Sequence, residues 1–412
     1  MSKQHLVIDN GAYNIKAGFN TGEDSDVRPT KVQNALTKTK DGAIHVGNQY
    51  QAQTNNYSGI VFRRAYDQGN LTSWETEKPV WDYTFDELSP KKIFDPSITH
   101  LTLIESPFQL PQLSTNTDQI VFEEYGFNEY YRCTPASLVP WVDFGNKSNN
   151  DFMLVIDSGF TATWIVPVIY KSVHWEGVRK LPVAGKVLNG LLRELISYRH
   201  YDITDEPILI NTIKEETCFI AQDFYKALNS RQKLQCEFVL PDFKTTTTGY
   251  VRKPKDTISP DAQLLRLMDE RFSVPEAYYH PEIMFDNNDT TAGSTLVQNT
   301  PLKNLTDLVV ESIMACPEVA RPLLSANISL VGGSTSLPNF KSRLLSELTK
   351  ELPSDWLVKV VEAKGVERDE VSWRGGINLT NDDVISDITI SKKEYFEHGS
   401  NWCQKQFGFK NV

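Results

Sequence analysis

Two short stretches of the chain place the same side chains at the same spacing. LVIDNGAYNIKAG, from Leu6, runs an apolar strand into an Asp-Asn-Gly turn, and LVIDSGFTATWIV repeats the pattern from Leu154, 148 positions later. A carboxylate at the end of a buried run is costly without a partner, so Asp9 and Asp157 both call for one. Successive backbone N–H groups in a tight turn form a concave nest for an anion. Two facing nests would clasp a polyphosphate, Lys16 would add positive charge, and the two carboxylates would hold water molecules of a bridging Mg2+. Gly11 and Gly159 are expected to supply positive φ for the turns. The plain alternative is a pair of hairpins whose aspartates cap their own turns; the duplication favours the shared site.

A third segment, ISLVGGSTSLPNFKSRLLSEL, takes a short strand into Gly332-Gly333 and then a helix. Pro338 suits a first turn, and Phe340, Leu344, Leu345 and Leu348 form one apolar stripe. The glycine pair lets a ligand approach the backbone, with Ser334 and Thr335 as donors; Gly-Gly also marks plain turns.

The 412 residues suffice for two large lobes, each with its own core. With 40% hydrophobic and 23% charged residues the chain is expected to fold throughout. The start lacks the pattern of a signal peptide. The most apolar region, from Phe152 to Tyr170, is interrupted by Asp157, Gly159 and Pro167, so no bilayer span is expected and the protein reads as soluble and intracellular. Five scattered cysteines and seven histidines show no ligand spacing, which argues against zinc and for buried free thiols. A formal charge of −11 opposes direct nucleic-acid binding. The basic groups Arg63-Arg64, Lys31/Lys38/Lys40 and Arg252/Lys253/Lys255 read as solvated loops.

DNGAYNIKAGF, DSGFTATWIVP, IKEETCFIAQDF, DERFSVPEAYYHPE, LVGGSTSLPNF, VSWRGG and ISKKEYFEHG together resemble, in order, the landmarks of actin and the actin-related proteins, from Asp9 to about Gly399. The resemblance implies an α/β actin fold: two ribonuclease-H-like lobes, in four subdomains, around a nucleotide cleft. It implies a first lobe over 1–140 with a small subdomain at about 30–62, a second over 141–340 with one at about 181–272, and a segment 341–412 returning to the first. ATP or ADP with Mg2+ is the implied ligand. Asp9, Asn10, Gly11, Lys16, Asp157, Ser158 and Gly159 match the phosphate turns, Lys214 and Glu215 the adenosine side, and Gly332, Gly333 and Ser334 the third nucleotide segment. Asp9 and Asp157 would meet the metal through water.

Within that family the chain looks most like a branch of nuclear members, through DNGAYN, VLPDF at 239–243, ISYR at 196–199 and VWDYTF at 80–85. This branch implies a non-filamentous, non-enzymatic structural subunit of a nuclear remodeller that exchanges variant histones. Its implied partners are a remodelling ATPase motor and a small zinc-finger subunit, with histones or the nucleosome met indirectly and neither membrane nor homopolymer. The departures from actin bear on turnover. Ala12 and Tyr13 stand for a Ser and a Gly, Phe160 and Thr161 for an Asp and a Gly, Trp164 for a His, and Val187 for an acid near the sugar. No Gln occurs in RCTPASLV, 132–139. An indole accepts no hydrogen bond from water, so binding without useful hydrolysis is expected. An ATPase or phosphotransferase of the same superfamily, or a cytoskeletal polymer, is the competing class. The aromatic runs 74–88 and 395–409 are candidate partner surfaces, with core packing as the alternative. The polar run 285–301, where actin carries an apolar plug, and the unlike loop 20–57 argue against filaments.

Overall fold

The structure, a computed structural model, describes residues 4–20, 22, 27–89, 94–145, 150–257, 261–284 and 303–408. The run 285–301 singled out above lies outside these residues. Two large mixed sheets carry the architecture. The first orders its strands Ile390–Ser391, Glu129–Cys133, Thr99–Ile104, Gln4–Asn10, Asn14–Phe19 and Thr30–Gln33. The second orders Ser172–Val173, Thr163–Ile169, Phe152–Ser158, Ile328–Val331 and Val360–Val361, with Arg179–Leu181 added beside Thr163–Ile169.

The duplication read in the sequence is a duplication of register. Gln4–Asn10 pairs antiparallel with Asn14–Phe19, which sets Asp9 opposite Lys16; Phe152–Ser158 pairs antiparallel with Thr163–Ile169, which sets Asp157 opposite Trp164. On the other side each strand has a parallel neighbour, Ile104 lying beside Asp9 and Val331 beside Asp157. These central strands are buried on both faces, which is why they read as unbroken apolar runs ending in a carboxylate.

Each sheet packs on its own core. Leu6, Ile8, Trp81, Phe122 and Tyr130 belong to one, and Leu154, Ile156, Leu188, Phe340 and Leu344 to the other. A smaller sheet accompanies each half. Leu36–Lys38, Ile44–Val46 and Val61–Arg63 form the one on the first lobe, and Cys236–Val239, Tyr250–Val251 and Leu264–Leu267 the one on the second.

The boundary expected at 341 is corrected. The helix Phe340–Glu351 buries Phe340, Leu344 and Leu348 in the second core, and Val360–Val361 pairs with Ile328–Val331, so the chain leaves the second lobe only after that strand. The return is made by the helix Val371–Leu379, whose Trp373 indole donates to the Val7 carbonyl at 3.2 Å. A Cβ at Gly375 would meet the Leu138 carbonyl at 2.0 Å and one at Gly376 would meet Val7 at 2.7 Å, so this helix packs closer to its neighbours than any larger residue would allow. Among the described residues no helix is long and apolar enough to cross a membrane.

The run 74–88 is a helix, and it buries Trp81 and Phe85 in the first core. Of the basic groups, Arg63, Lys38, Lys40, Lys253 and Lys255 are exposed as expected, and the other three are engaged. Lys31 pairs with Glu367, Asp369 and Glu370, Arg252 with Glu237, and Arg64 lies at the cleft. All five cysteines are free thiols, four of them buried.

Candidate nucleotide cleft

The ends of the two central strands face one cavity of about 380 Å³, a size usual for small-molecule sites. Asp9, Asn10, Gly11 and Lys16 line it from the first sheet, Asp157 and Gly159 from the second, Lys214 and Glu215 from the helix Pro207–Thr217, and Gly332, Gly333 and Ser334 from the third segment. The structure thus brings together eleven of the twelve residues picked from the sequence. Ser158 is the exception. Strand alternation turns it into the core, where its hydroxyl meets Thr163 Oγ1 at 2.6 Å and Tyr278 Oη at 2.7 Å. Val187 does not line the cavity either; its helix enters through Gly185 and Leu188.

The glycines act differently from the expectation. Neither Gly11 nor Gly159 has positive φ. Gly11 is needed for space, since a Cβ there would stand 2.6 Å from the Asn14 carbonyl. Positive φ falls on Gly332, at +86°, where a Cβ would strike the Ser158 carbonyl at 2.3 Å. A 3-10 turn, Gly333–Ser336, separates it from the helix, and the Ser334 hydroxyl donates to the Gly159 carbonyl at 2.9 Å, tying the third segment to the second turn.

Lys16 Nζ donates to Asp9 Oδ2 at 2.8 Å. Burial opposes the Lys16 charge, but Asp9, with Asp369 and Asp157 nearby, outweighs it and raises its pKa. Burial, together with Asp9, pushes the Asp157 carboxyl up to about 6, with Lys16 pulling the other way. The second turn has Trp164 where the first has a lysine, so the cation is not duplicated. On the far wall Lys214 Nζ donates to Asn211 Oδ1 at 2.9 Å, and burial lowers its pKa. Asn211 also donates to Glu215 at 2.9 Å; sequence reading missed it, although it lies one helical turn before Glu215.

Asn10 uses its side chain inward, donating to Tyr66 at 3.0 Å and accepting from the Trp81 indole at 3.0 Å. Behind the turn, Asn34 donates to the Gly11 carbonyl at 3.1 Å and to buried Glu77 at 2.9 Å. The donor set suits a nucleotide. It combines an ammonium and two carboxylates at the turns, a second buried ammonium on the far wall, and a glycine where a Cβ would close the third segment. Asp9 and Asp157 are the residues that would hold a hydrated Mg2+, and Leu337 and Ser336 offer a wall for a base.

The Actin family model matches residues 1–408, and the chain belongs to the actin family. Within it, the chain is similar over its full length to proteins named Actin-like protein ARP6. It is 65% identical to that of Debaryomyces hansenii, with both chains covered completely, and 60% identical to that of Candida albicans, with 99% of each covered. The Saccharomyces cerevisiae protein of the same name is 35% identical, again over all of both chains. The chain is an actin-related protein with the actin fold.

Proposed function

We propose that the protein is a structural actin-related subunit of a nuclear remodeller that exchanges variant histones, and that it binds ATP or ADP with Mg2+ without useful hydrolysis. The observation that carries the second part is Trp164. It lines the cavity opposite Asp157, with the Lys180 ammonium 5.0 Å from its ring centre and Phe108 at 5.7 Å. An indole at this place cannot accept a hydrogen bond from an attacking water, and hydrolysis depends on a group that orients that water. The biological setting is supported by the sequence resemblance and by full-length similarity to the ARP6 proteins. Partners on this reading are the motor and a small zinc-finger subunit, with no homopolymer.

The test begins with purified protein, denatured so that released nucleotide is identified and counted, followed by hours of incubation with added ATP. Intact nucleotide near one per chain and no phosphate release is the expected result. Steady release, abolished in Asp157→Asn, would overturn the structural reading. Co-purification of the tagged chain from nuclear extract with the motor and zinc-finger subunits tests the setting.

A further inference from the structure

The two turns touch each other above the cavity. Tyr13 of the first and Phe160 of the second stand with ring centres 5.0 Å apart. The Arg64 guanidinium lies over both, 4.8 Å from the Tyr13 ring and 5.1 Å from the Phe160 ring. Its Nη1 is directed to the carbonyls of Ala12, Tyr13 and Asn34, at 3.2, 3.2 and 3.0 Å, which fixes the planar group in place. Nearer the rim, Ser58 donates to Glu206 at 2.5 Å, a second contact between the two halves.

We infer that Tyr13, Arg64 and Phe160 form a clasp that holds the lobes together over the phosphate end of the cleft and retains the ligand. On the nucleotide reading given above, on which it rests, the clasp regulates how fast that ligand leaves. Two rings alone would slide. A guanidinium stacked on both faces and bonded to one turn's backbone gives the contact a defined geometry, and partial burial strengthens the cation–π attraction. Tyr13, Arg64 and Phe160 act here as positioning residues.

The test compares wild type with Phe160→Ala, Tyr13→Ala and Arg64→Lys, the last keeping the charge while losing the planar face. One arm measures release of a fluorescent ATP analogue after a chase. Each variant is expected to release it roughly tenfold faster, the size of one partly buried cation–π contact. The other arm needs no nucleotide: spin labels at Lys38→Cys and Tyr198→Cys, in a Cys236→Ser background, report the distance across the cleft. The variants are expected to lengthen or broaden it. Unchanged release and distance in folded variants would overturn the clasp, as would an equal effect from Ser58→Ala, which would move the lock to the rim. If wild type binds no nucleotide, the ligand reading fails by itself and the distance arm still decides the clasp.

Discussion

Glu77 has no solvent exposure and stands directly behind the first turn, Asn34 bridging it to the Gly11 carbonyl. Burial pushes its carboxyl up to about 7, against the opposing pull of Asn34, Asn10 and Trp81. A carboxyl raised in the folded state binds more protons there than in the unfolded chain, so its contribution is fully present below its unfolded pKa and is lost as pH rises through 7. Stability measured by denaturant midpoint is therefore expected to fall between about pH 4.5 and 7, and Glu77→Gln to flatten that fall by about 3 kcal/mol, at about 1.4 kcal/mol per pKa unit. An equal slope in the variant would show that the side chain stays charged. Nothing in the local sequence WETEKPVW distinguishes this glutamate from the exposed Glu75. Its burial follows from the sheet beneath the helix.

Among the elements, the helix Trp74–Leu88 links core to site. Ser73 caps it by accepting from the Thr76 amide at 3.4 Å, and Glu75 and Glu77 lie in its first turn. Trp81 packs 5.2 Å from Trp74 and 5.8 Å from Phe85, while its indole holds Asn10. Trp81→Ala is expected to cost about 3–5 kcal/mol and also to weaken nucleotide binding, because Asn10 loses its support. Phe85→Ala has a similar packing cost but leaves the Trp81 indole bond to Asn10 in place, so its nucleotide affinity is expected to fall less than that of Trp81→Ala. Denaturation curves beside nucleotide titrations separate the two effects. For this run the core-packing alternative holds at Trp81 and Phe85, which lie four apart on one face of the helix and are buried.

Across the whole molecule, each sheet carries half of the site. Ligand bound between them stabilises only the closed fold, so ATP with Mg2+ at about 100 times its Kd is expected to raise stability by about 2.7 kcal/mol. Thermal or chemical denaturation with and without nucleotide checks this. Asp157→Asn should lose part of the gain, and a chain whose stability ignores nucleotide would have kept the cleft without its ligand.

Whatever is local or repeated was readable from residue order alone. Strand, turn and strand recur 148 positions apart, and from that come the twin hairpins, the placing of Asp9 and Asp157 at strand ends, and the helix after Gly332. These features depend on side-chain periodicity and on turn chemistry over a few residues. Which way neighbouring side chains face, and what distant segments meet, emerged only in three dimensions. The packed fold turned Ser158 into the core, put positive φ on Gly332, kept Phe340–Glu351 with the second lobe, and brought Arg64 over Tyr13 and Phe160. Such contacts join residues far apart in the chain, and their geometry is set by sheet order and lobe closure, for which no short stretch of sequence carries a signal.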